Sequence, residues 1–187
     1  MKKFLMFLFF GLFLFVVSGC TESKKNDLEK FIDLLEEKQN CEMKMEMTVP
    51  MLGKVTITAK ADGNKGYVGS VLGMGDIYTE EVDGKIYQYY QDLTGKWVKE
   101  EIAAEDVESE FDIIDELEAD DFDKIEDKKY ELKEEKREEY NVESFVITLT
   151  DDGAIFEFEM IEEGLHVPVT LTITKIGEVE IQLPKVD

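Results

Sequence analysis

Few side chains in this chain have a wide chemical range. There is one histidine, His166, and two cysteines, Cys20 and Cys41. A usual zinc site draws on several Cys or His ligands, and one His with no spare Cys does not supply it. Met43, Met45 and Met47 form a Met-x-Met-x-Met run. On a strand their thioethers share a face at intervals of about 6.6 Å. Soft thioethers bind copper(I), and Met51, Met74 and His166 could join them only if the fold brought them close. The plainer use of such a run is core packing or a pliable cavity lining. The acidic stretch over residues 100–139 includes Asp120, Asp121 and Asp123. It offers hard oxygen ligands but no Asp-x-Asp-x-Asp-Gly loop with a glutamate at its twelfth position. A solvated, self-repelling surface is the preferred reading. No Gly-x-Ser-x-Gly elbow is present, and Gly69-Ser70-Val71-Leu72-Gly73 has neither the lysine nor the following helix of a phosphate loop. The expectation is a protein that is not an enzyme and has no cofactor and no bound metal.

The N-terminus is the most informative segment. Lys2 and Lys3 precede an apolar run over residues 4–17, and Ser18 and Gly19 follow it. That is the layout of a secretory signal. As a helix the run is about 21 Å long, short of a hydrocarbon core of about 30 Å. Val17-Ser18-Gly19-Cys20 resembles the bacterial lipobox. The resemblance implies that the Cys20 thiol receives a diacylglyceryl group and that cleavage leaves Cys20 as the first residue. Two acyl chains hold a protein to a bilayer where one is marginal. The expected location is the extracytoplasmic face of the cell membrane, with lipidated Cys20 as the membrane contact. Residues 1–19 are the cleaved signal, residues 20–25 the lipidated cysteine and a polar tether, and residues 26–187 a single domain.

Removing residues 1–19 leaves 168 residues and discards two lysines and no acids, which takes the formal charge from −23 to −25. Nucleic acid is thereby excluded as a partner, because its phosphates call for Lys and Arg. A surface that hugs anionic lipid is disfavoured for the same reason. With Cys20 acylated, Cys41 has no intramolecular partner, and it reads as a small buried apolar residue or, less favoured, a reactive thiol.

Two periodicities organise the rest. Asn26 caps a helix over residues 26–39, with Glu29 in the capping-box position. Leu28, Phe31, Ile32 and Leu35 form its apolar stripe. Alternation then takes over in residues 42–49 and 54–61. Asp62-Gly63-Asn64 and Asp83-Gly84 are turn signals. Further strands read at residues 67–71, 76–82, 86–90 and 96–99. Val107, Phe111, Ile114 and Leu117 predict a second helix over about residues 103–117, with Phe122 and Ile125 adding a turn. Tyr130 and Leu132, then Phe145, Ile147 and Leu149, then Phe156, Phe158 and Met160, then residues 167–173, alternate again. Val179, Ile181 and Leu183 read as a last strand.

A sheet this long twists and curls, and one apolar face needs a cover. The expected fold class is α+β: a strongly curved antiparallel half-barrel of ten or eleven strands with two helices on its concave face. This order of elements resembles the LolA/LolB/LppX-like superfamily of bacterial lipoprotein carriers. Gly84-Lys85-Ile86-Tyr87, Lys96-Trp97-Val98 and Val179-Glu180-Ile181-Gln182-Leu183-Pro184 carry the match, which spans most of residues 26–184. The resemblance implies an apolar cavity between sheet and helices. Candidate lining residues are Met43, Met45, Met47, Ile57, Tyr87, Tyr89, Phe145, Ile147, Phe156, Phe158 and Met160. The expected function is binding or carrying a lipid, an acyl chain or another apolar ligand. The alternative is an envelope interaction protein whose interior is packed, working through its acidic surface or through the rings of Tyr78, Tyr87, Tyr89, Tyr90 and Trp97. No particular protein partner is indicated.

Overall fold

A computed structural model describes residues 25–49, 53–71, 73, 75–103, 117–162 and 165–186. The signal segment, Cys20, Met51, Met74 and residues 104–116 of the expected second helix lie outside the described residues.

The described residues open with helix α1, Asp27–Lys38. Its start is set locally. The Asn26 side chain accepts from the Glu29 backbone N–H at 2.8 Å, and the Glu29 carboxylate accepts from the Asn26 N–H at 3.3 Å. That reciprocal pair satisfies two donors that a helix N-terminus otherwise leaves open. Gln39 stops the helix in the left-handed region, φ 44°, and its N–H donates to the Leu35 carbonyl.

Eleven strands follow: β1 (Asn40–Val49), β2 (Gly53–Asp62), β3 (Lys65–Val68), β4 (Ile77–Val82), β5 (Lys85–Gln91), β6 (Trp97–Ile102), β7 (Phe122–Glu126), β8 (Lys129–Leu132), β9 (Val142–Leu149), β10 (Gly153–Glu162) and β11 (Leu165–Thr174). Short 3-10 turns at Ala119–Asp121 and Glu134–Lys136 interrupt the second half. All strands join one antiparallel sheet in the order β6-β5-β4-β3-β2-β1-β11-β10-β9-β8-β7. Two meanders therefore meet at the β1–β11 pair, and the sheet is open, with β6 and β7 as its edges.

The expected α+β class with two helices on a concave face is corrected by this arrangement. The fold is nearly all sheet, with one α-helix among the described residues. Phe122 and Ile125, read as a helical turn, belong to extended β7. There Phe122 pairs with Leu132 and Lys124 with Tyr130, so the ladder takes the hydrogen bonds a helix would have taken. The last strand is also corrected. Residues 179–186 are irregular, because both sides of β11 are already occupied, by β1 and β10. Side chains satisfy the tail instead. Asn40 accepts from the Val179 N–H at 2.7 Å, and Asp62 accepts from the Ile181 N–H at 2.9 Å. Ile181 is buried there.

Candidate functional site

The sheet register sorts the candidate residues into tiers on one face. One tier runs Ala59, Met43, Ile173, Ala154, Leu149 across β2, β1, β11, β10 and β9. The next runs Ile57, Met45, Leu171, Phe156, Ile147 and on to Tyr130. The third runs Val55, Met47, Val169, Phe158, Phe145. Met43, Met45, Met47, Ile57, Phe145, Ile147, Phe156, Phe158 and Met160 are all buried and share one cluster with Leu28 and Phe31 of α1. Phe145 is its hub, with ring centroids 6.1 Å from Phe156, 5.2 Å from Phe158 and 5.3 Å from Phe122. Phe31 reaches Phe156 from the helix at 6.2 Å. Ala59, Ala61 and Ala154 are the small residues at the α1 end of this face, each at most 2 % exposed. Small side chains let a helix approach a sheet closely.

Tyr87 and Tyr89 are placed elsewhere. Tyr89 pairs with Tyr78 and Lys99, whereas Ala59 connects through Val68 to Ile77, one residue out of phase. Side chains alternate between faces, so Tyr87 and Tyr89 occupy the face opposite the methionines. Lys99 covers both rings, 4.2 and 5.0 Å from their centroids, and the Tyr89 hydroxyl donates to Glu80 at 3.0 Å. Tyr67, Tyr78 and Trp97 continue this outer face, with centroids 4.9 and 5.5 Å apart along the row. Partial burial, and then the Asp76 carboxylate, raise both the Tyr67 and the Tyr78 phenols above their ordinary value.

A cleft of about 550 Å³ opens between α1, the β9–β10 turn and the chain leaving β11. Phe31, Leu34, Leu149 and Ile176 are the apolar side chains that line it, Phe31 and Leu149 buried and Leu34 exposed. Its lining also carries both signs of charge. Lys128 binds Asp151 at 2.7 Å and Lys30 binds Asp27 at 3.0 Å. The hydrogen bonds from those lysines hold the Asp27 and Asp151 carboxyls below their usual range. None of the eleven sequence candidates lines this cleft. Its lining is assembled from a helix and two strand ends, and no local pattern announces that.

The remaining chemical candidates separate. Met43, Met45 and Met47 have hydrocarbon neighbours along their tiers, and His166 lies on the opposite face, because Val167 beside it points into the core. Cys41 is buried against Ala61, and burial pushes its thiol up to about 11. Asp121, from the acidic stretch, is buried too, binding Lys136 at 3.1 Å and accepting from the Tyr140 hydroxyl at 3.0 Å. Burial and the neighbouring Asp121 hold the Tyr140 phenol well above its usual range. Glu143 and Glu159, which the sequence pattern did not single out, come together beside His166. Among the described residues no helix is long and apolar enough to cross a membrane. Compared with models of known protein families the chain matches none, and the curated proteins likewise yield no match.

Proposed function

We propose that the chain is an extracytoplasmic lipoprotein, anchored through an acylated Cys20, that binds an amphiphile in the cleft beside α1. The cleft carries this reading. Its volume of about 550 Å³ falls within the range of about 300–1,000 Å³ typical of small-molecule pockets. Phe31, Leu34, Leu149 and Ile176 offer an apolar lining for an acyl chain, and the charged Lys30, Lys128, Asp27 and Asp151 beside them suit a polar or zwitterionic end. The tiered face behind it acts as a packed wall. The lipobox and signal segment support the anchor.

The test uses the full chain in mild detergent and a fluorescent fatty acid. Saturable one-to-one binding is expected, weakened severalfold by Leu34→Trp, which fills the cleft from an exposed helix position, and unchanged by Leu93→Trp on an exposed turn. Absence of saturable binding, or equal binding by Leu34→Trp, would sink the reading. The anchor is tested separately: wild type should incorporate labelled palmitate and Cys20→Ala should not.

A second reading, an envelope interaction protein with a packed interior, is favoured by the outer row of Tyr67, Tyr78 and Trp97. Half-exposed rings beside lysines and carboxylates are the composition of a protein contact.

A further inference from the structure

We infer that Glu143, Glu159 and His166 form a surface site for a divalent transition-metal ion, with zinc as its representative. The three side chains come from adjacent strands β9, β10 and β11. One donor atom from each lies within 4.8 Å of the others. His166 Nδ1 is 2.5 Å from Glu143 Oε2 and 3.3 Å from Glu159 Oε1. At metal–ligand bonds of about 2.0–2.2 Å, two donors on a tetrahedral zinc ion sit about 3.4 Å apart. The His166–Glu159 distance matches that spacing, whereas His166 and Glu143, now in hydrogen-bond contact, would have to part by about 0.9 Å, which their exposed side chains allow.

Backbone geometry is what assembles it. Glu159 pairs with Ser144, yet the next residue, Met160, pairs with Val142. Glu143 is thus the extra residue of a β-bulge. In a regular ladder Glu143 would alternate away from Ser144, but a bulge redirects the side chain it inserts. Here it turns Glu143 toward Glu159 and His166. Donors fixed on paired strands hold their spacing better than donors on loops.

Charge points the same way. Among the described residues neither Glu143 nor Glu159 forms an ion pair with a lysine or arginine; each pairs with His166. Elsewhere on the sheet, by contrast, Glu46 is flanked by Lys44 and Lys54. Against a neutral imidazole, the form that ligates a metal, the two carboxylates lack a counter-charge, and a divalent ion supplies it. The imidazole selects the class. Carboxylates alone suit magnesium or calcium, whereas a nitrogen donor favours zinc, copper, nickel or iron(II). With three protein donors on an exposed surface, the remaining positions belong to water, so the ion is exchangeable.

The chain's single histidine makes the test specific. Zinc is titrated into the full chain in detergent micelles, in phosphate-free buffer, while the imidazole resonances are followed by NMR. Saturable one-to-one shifts of the His166 signals are expected. Glu143→Gln and Glu159→Gln should each weaken zinc at least about tenfold, Glu81→Gln should change nothing, and His166→Ala, which has no imidazole to follow, should lose the zinc heat in titration calorimetry. Calcium at equal concentration should leave the imidazole signals in place. Unmoved His166 signals at millimolar zinc, wild-type affinity in both glutamine variants, or equal displacement by calcium would each overturn the proposal. Since both glutamates are at least partly exposed, neither replacement threatens the fold. The outcome is also independent of ligand binding in the α1 cleft.

Discussion

Replacing Phe156 with alanine asks whether the apolar face is a packed wall or the lining of empty space. Phe156 is fully buried, flanked by Leu171 and Ile147 on neighbouring strands and by the rings of Phe31 and Phe145. A buried Phe→Ala change costs about 3–5 kcal/mol. Strands on both sides limit collapse of the site, so about 4 kcal/mol is expected. Phe31→Ala, on the helix side of the same contact, should cost about 3 kcal/mol. A double-mutant cycle between the two should return a coupling of about 0.5–1.5 kcal/mol for the ring pair. Urea unfolding reads each number, with the lone tryptophan, Trp97, as fluorophore and far-UV circular dichroism as the second probe. An unchanged slope with a lowered midpoint would mark a stability change alone. A loss under about 1 kcal/mol for Phe156→Ala would refute the packed wall. Phe156 would then border free volume, and the ligand site would move from the α1 cleft to the tiered face.

Three other outcomes are expected. A Cβ added at Gly153 would lie 1.9 Å from the Ile173 carbonyl oxygen, so Gly153→Ala should cost more than about 3 kcal/mol, seen as a large drop in melting temperature; near-wild-type melting would contradict the register there. The folded state holds the Cys41 proton up to about 11, against 9.0 ordinarily. The stability this contributes is complete below pH 9 and is lost as pH rises through 11, a fall of at most about 2–3 kcal/mol. Cys41→Ala should remove that part of the alkaline decline in urea midpoint, and an unchanged decline would disprove the assignment. Asn40→Ala removes two hydrogen bonds to Val179, each worth about 0.5–1.5 kcal/mol; amide exchange at Val179 should accelerate while β11 stays protected.

Local signals were legible in the sequence and long-range ones were not. Asn26 and Glu29 sit three residues apart and cap α1 by themselves. Asp83 and Gly84 both adopt positive φ, 53° and 73°, as a tight hairpin between β4 and β5 demands. The alternation through Met43, Met45 and Met47 needed only its own strand. The side of the sheet taken by the cavity candidates Tyr87 and Tyr89 was not legible for a different reason. Alternation says which residues share a face but not which face that is. The choice passes through the β2–β3–β4–β5 registers, and it puts Thr79 and Gln88 on the methionine side. Val179 to Leu183 alternate like a strand but find no free edge beside β11. The α1 cleft and the bulge at Glu143 likewise depend on which elements become neighbours.

The pairing of β1 with β11 has a consequence for how the molecule comes into being. Among the described residues, the first strand, β1, lies in the middle of the sheet, and one of its neighbours there is the last, β11. Until Leu165–Thr174 emerges, the Met43, Met45 and Met47 edge has a partner on one side only. Pairs so distant along the chain form slowly. Assembly of the centre therefore waits for β11. For the same reason, shortening the C-terminus into β11 would not trim an edge. It would divide the sheet between its two meanders.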